Sequence, residues 1–134
     1  MSQNVERAHE MVAVFNRGDL DAFLDEYWTD DIDYRAVEGA PDDHGPIRGK
    51  DALRAYVQDW LDTFDDFRQE PVEVIDVGED EVVAVIRISG RAKLSGVETD
   101  LSYAALYKLR DGKIARGREY WTREEALKAA GLSE

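Results

Sequence analysis

The stretch LSYAALYKLRDGKIARGREYW (Leu101–Trp121) places two runs of strand-forming residues around Asp111–Gly112, the pattern of a β-hairpin. It can close in two ways. A two-residue Asp111–Gly112 loop of type I′ would set Tyr107 opposite Arg116 and Ala105 opposite Arg118, mixing arginines with aromatics on both faces. A three-residue loop, Arg110–Asp111–Gly112, would be a type I turn with Gly112 as a G1 bulge. Leu101, Tyr103, Ala105 and Tyr107 then share a face with Ala115, Gly117, Glu119 and Trp121. Ser102, Ala104, Leu106 and Lys108 share the other with Arg116 and Arg118. A slip of one residue exchanges the faces, so the turn decides where Glu119 points. The three-residue loop separates the charges and is the reading adopted. It makes Glu119 the lone charge on an aromatic face, opposite Tyr103. A carboxylate there must pair, stay partly wet or carry a raised pKa, and such groups concentrate at functional sites.

Downstream, Thr122 opens TREE, a capping-box pattern with Glu125, and Gly131 stands where a helix-ending glycine belongs. Upstream, period-two segments at Val72–Val77, Val82–Lys93 and Val97–Leu109 predict strands, with turns at Gly78–Asp80 and at Leu94–Gly96. The first half is helical. Val5, Ala8, Val12 and Phe15 form one stripe, Leu20, Phe23, Leu24, Tyr27 and Trp28 a second, and Leu53, Tyr56, Val57, Trp60, Leu61 and Phe64 a third. Ile32–Val37 reads as a short strand, followed by the Gly/Pro-rich loop EGAPDDHGPIRG. Helices followed by hairpin-linked strands give an α+β fold with a mostly antiparallel sheet. The interior Gly90 suggests a strongly bent one.

The chain has 134 residues, expected to form one domain spanning 1–134, and 43% of them are apolar, a length that buries about 65–70% of the unfolded surface. It has no cysteine, which excludes disulfides, thiolate zinc sites and cysteine nucleophiles. Thirty acidic residues against 17 basic ones give a net charge of −13, which disfavours nucleic acid and anionic membranes as partners and reads as a solubility feature. The start, MSQNVERAHE, lacks the apolar segment of a signal peptide, so the expected location is cytoplasmic.

Tyr34, Tyr56, Trp60, Tyr103 and Trp121 are the candidate lining of an apolar pocket, with Glu119 as its candidate catalytic residue. Arg87 belongs to the outward parity of its strand, opposite to Val82, Ala84, Ile86 and Ile88. Asp42, Asp43 and His44 are contiguous in one loop and lack a second cluster at ligand spacing, so no metal is expected. His9 is read as a surface residue. Nothing in the sequence forms a phosphate-binding glycine loop or a nucleophile elbow, so no cofactor is implied.

Three segments, NRGDLDAFLDEYWTDD, PIRGKDALRAYVQDW and DGKIARGREYWTREEALKAAGL, together resemble the SnoaL-like branch of the NTF2-like superfamily. That resemblance implies a cone, in which a curved sheet wraps around the helices and leaves a pocket at its open end. It also implies homodimers packed through sheet faces. The polar groups of ketosteroid isomerases would fall on Met11, Ala36 and Ala105, which disfavours that chemistry. The Asp–Arg–Asp set of limonene-epoxide hydrolases would fall on Glu119 and near Ile86 and Ile88, so one carboxylate is retained. The expectation is an apolar small-molecule pocket whose specific activity the sequence leaves undetermined; one reading is acid/base isomerisation, cyclisation or hydrolysis through Glu119, with Tyr103 or Tyr34 as hydrogen-bond donor. The alternatives are a non-catalytic binder of small ligands and a dimeric interaction module.

Overall fold

The structure is a computed structural model that describes residues 2–132. Its elements run α1 (Gln3–Asn16), α2 (Leu20–Tyr27), β1 (Trp28–Arg35), β2 (Ile47–Arg48), α3 (Lys50–Thr63), β3 (Phe64–Asp76), β4 (Glu81–Ala92), β5 (Glu98–Arg110), β6 (Lys113–Tyr120) and α4 (Arg123–Ala129). The fold is α+β. All six strands join one curled, unclosed sheet in the order β2-β1-β6-β5-β4-β3. Of its neighbouring pairs, β1 and β6 run parallel and the others antiparallel.

Local chemistry sets the helix ends. The Ser2 side chain accepts from the Val5 amide and Asp19 from the Ala22 amide, each satisfying an orphan donor of a first turn. Thr122 does the same for Glu125 N–H at 3.1 Å. Here the Glu125 carboxylate turns to the Thr122 hydroxyl at 3.0 Å, the reciprocal half of the expected capping box taking a side-chain route. At the far end Gly131 N–H donates to Lys128 C=O and Leu132 N–H to Leu127 C=O, the two bonds of a Schellman ending.

The main core lies between the concave face of the sheet and α1–α3. Met11, Leu24, Ile32, Leu53, Val82 and Ile86 are among its fully buried residues. A smaller cluster on the opposite face is built from Val83, Ala104, Ala126 and Leu127, so α4 covers part of the sheet's outside. The alternation of β4 thus sends Val82, Ala84, Ile86 and Ile88 inward. Arg87 faces out, with two of its three guanidinium nitrogens donating to Asp100 at 2.6 and 2.7 Å.

Four details differ from the sequence reading. The β5–β6 hairpin closes through two residues, with Arg110 paired to Lys113. Asp111 at φ 53° and Gly112 at φ 78° occupy the left-handed positions of a type I′ turn. A bulge at Ala115 then inserts the extra residue that a three-residue loop would have supplied, because Leu109 pairs with Ile114 but Lys108 with Arg116. Beyond the bulge the faces partition as expected, but next to the turn Ile114, opposite Leu109, takes the inward place expected of Ala115, and Glu119 lies opposite Ala105, not Tyr103. Trp28 opens β1 instead of closing α2, while staying in the core. Ile47–Arg48, inside the expected loop, pairs with β1 as β2. Finally, β3 begins at Phe64, well before Val72. Register shifts between Asp65 and Arg68 and between Pro71 and Glu73 hide its alternation. Gly90 on β4 makes the first of these fit: a Cβ there would lie 3.2 Å from Phe64 Cβ and 3.3 Å from Asp65 C=O.

Candidate functional site

At the open end of the sheet lies a cavity of about 370 Å³. Its walls come from α1 (Met11, Phe15), α3 (Tyr56, Trp60), β1 (Trp28, Tyr34), β3 (Phe64, Phe67), β5 (Tyr103, Tyr107) and β6 (Glu119). The half-exposed Trp121 and the exposed edge of Leu101 also line it, so it opens to the surface there. All six residues singled out from the sequence, Tyr34, Tyr56, Trp60, Tyr103, Glu119 and Trp121, therefore meet in one space.

Glu119 reaches this space because the Ala115 bulge keeps Gly117 and Glu119 on the inward face of β6. Its Oε2 accepts a hydrogen bond from the hydroxyl of Tyr34. Tyr34 is fixed from several sides. Its ring meets Trp28 edge-on at a centroid distance of 5.6 Å and lies 6.0 Å from Tyr56. It also rests on bare Gly117, where a Cβ would sit 2.4 Å from its Cδ1. Of the two donors expected for Glu119, the structure thus supplies Tyr34, while Tyr103 lines the wall opposite Ile86 on β4.

Burial pushes the Glu119 carboxyl up from 4.5 to about 8. The Tyr34 bond pulls it back, and the charge of Asp42 adds to the rise. Glu119 is partly accessible, and what it faces is the apolar lining of the cavity. Burial first, and the Glu119 charge second, hold the Tyr34 and Tyr107 hydroxyls above the ordinary phenol range. At neutral pH this is a protonated carboxyl among phenols that stay donors.

The loop between β1 and β2 splits the three contiguous residues Asp42, Asp43 and His44. His44 is exposed. Asp43 ties the loop together: it accepts from Arg35 at 3.1 and 3.3 Å, from Gly39 N–H at 3.0 Å and from Gly45 N–H at 3.1 Å. Arg35 first and the two amides next hold its carboxyl down at about 2. Asp42 turns into the cavity wall and accepts from the Tyr56 hydroxyl at 2.8 Å. Sequence patterning missed this role, since a Gly/Pro-rich loop has no periodicity to say which of two adjacent aspartates points inward.

The sequence matches the SnoaL-like domain family over residues 8–117. The chain belongs to that family. No curated protein matches it in sequence. Solved structures with the same fold as this SnoaL-like chain include an NTF2-like protein of unknown function from Burkholderia pseudomallei, with TM-score 0.78, 19% identity, and coverage of 96% of this chain and 97% of that one. A Mycobacterium tuberculosis protein in complex with estradiol-17β-hemisuccinate has TM-score 0.77 at 16% identity, covering 92% and 96%. TerC, co-crystallised with polyporic acid, has TM-score 0.76 at 20% identity, covering 97% and 99%. At these identities the likeness is one of fold. Among the described residues, no helix of the SnoaL-like chain is long and apolar enough to cross a membrane.

Proposed function

We propose that the cavity binds an apolar small molecule and that Glu119 acts on it as a general acid, donating its proton and taking it back within one reaction cycle. The observation that carries this reading is a carboxyl set in an apolar cavity, hydrogen-bonded to Tyr34 and raised to about 8. A group with its pKa near the working pH is suited to giving and recovering a proton. Isomerisation, cyclisation and hydrolytic ring opening all fit that role. Complexes of two relatives of the same fold with small molecules support the binding half of the reading.

A second reading, binding without turnover, has its own support. The positions where the resemblance would place further polar groups are Met11, Ala36, Ala105, Ile86 and Ile88, and all five are buried apolar residues. One experiment separates the two. Small molecules retained by the purified protein are identified by native mass spectrometry and offered back to wild type and to Glu119→Gln. The acid reading expects binding to persist and turnover to fall by about 10²–10⁴-fold. Turnover that survives the substitution removes Glu119 from the chemistry. Binding with no turnover by wild type favours the second reading.

A further inference from the structure

The cavity is lined by two carboxyl groups, Glu119 and Asp42, and by no described lysine, arginine or histidine. With Glu119 holding its proton, a ligand entering it meets the charge of Asp42 with no cation to offset it. Asp42 is only half satisfied. Tyr56 bonds its Oδ2 at 2.8 Å, and no described residue donates to its Oδ1. A carboxylate is an acceptor with room for several donors. The Tyr56–Asp42 pair stands beside the Tyr34–Glu119 pair, the two tyrosine rings lying 6.0 Å apart. Asp42 is also held firmly, because its neighbour Asp43 clamps the loop through four hydrogen bonds.

We propose that Asp42 selects the ligand. Its open oxygen takes a hydroxyl or ammonium donor carried by an apolar body, and the cavity rejects anions. The proposal rests on reading the cavity as a ligand site and names the chemical class admitted there. The physical grounds are asymmetric. A donor gains a charge-assisted bond to an acceptor already in place. An anion must shed its water beside a fixed negative charge, in walls that offer no compensating cation. The net charge of −13 extends the same discrimination outside the cavity.

Three probes share one rigid apolar skeleton: adamantanol, aminoadamantane and adamantanecarboxylate. Their affinities for the whole chain are measured by calorimetry at neutral pH, for wild type and for Asp42→Asn. In wild type the alcohol and the amine are expected to bind at least about tenfold more tightly than the carboxylate. Asp42→Asn, which keeps an acceptor for Tyr56 but loses the charge, is expected to shrink the gap between amine and carboxylate by about tenfold. Should that variant fail to fold, the wild-type order alone decides whether the cavity rejects anions. A carboxylate that binds wild type as well as the other two overturns the proposal. A gap unchanged in a folded Asp42→Asn protein overturns the role of Asp42 and leaves the cavity as a binding site. Failure of all three probes to bind wild type overturns the cavity reading, and this one with it.

Discussion

Raising the pH from about 5 to about 9 is expected to cost the protein roughly 4 kcal/mol of stability that Glu119→Gln does not lose. The cause is the Glu119 carboxyl, at about 8 in the folded chain against an ordinary 4.5. Below 4.5 both the folded and unfolded chains hold the proton, and the group contributes nothing. Between the two values only the folded chain holds it, so each rise in pH favours unfolding. Above 8 both are ionised, and the full penalty of a charge in an apolar cavity is present. Glutamine has nearly the same shape and can still accept from Tyr34, so the variant isolates the titration. Urea unfolding of both proteins across this range measures the difference. Curves that run parallel would show that Glu119 is not held protonated by burial.

Gly117→Ala is expected to destabilise the protein by about 3 kcal/mol, a large effect for one methyl group. The added Cβ would stand 2.4 and 2.5 Å from two ring carbons of Tyr34 and 3.3 Å from Tyr107 Cδ1. Neither ring can yield cheaply. Tyr34 packs against Trp28, and Tyr107 meets the same tryptophan edge-on at 5.8 Å. Gly117 also pairs with Tyr34 on β1 and with Tyr107 on β5, so the methyl group would press on both neighbouring strands. The ring that must shift carries the hydroxyl bonded to Glu119, so damage to stability and to the site should arrive together. Thermal melting measures the first, and the Glu119 titration measures the second. A variant that melts with wild type would mean that the strands separate freely at this point, contrary to the close packing described.

The inward direction of Glu119 was legible in the sequence because charge separation alone chose between two sets of faces. The device that achieves it was not. From Arg116 onward a type I′ turn followed by a bulge at Ala115 gives the same partition as a three-residue turn, and residue patterns report faces, not the place where the extra residue sits. The start of β3 was obscured for a related reason: two register shifts in FDDFRQEPVEVID break the alternation that identifies a strand. Tyr34 was visible as an inward aromatic of a short strand. Its bond to Glu119 depends on the parallel pairing of β1 with β6, a contact between segments 85 positions apart that no local pattern encodes. Asp42 lay beyond reach because nothing in EGAPDDHGPIRG distinguishes the aspartate that clamps the loop from the one that faces the cavity.

The fold places one carboxyl in an apolar cavity, and burial there favours its protonated form near neutrality. A carbon-detected NMR titration of the Glu119 side chain, assigned by its loss in Glu119→Gln, measures this directly. The expected midpoint is about 8. It should move further upward in Tyr34→Phe, because the Tyr34 hydrogen bond stabilises the charged form and that variant removes it. A midpoint near the ordinary 4.5 would contradict the account, placing Glu119 in water and leaving the cavity without its acid.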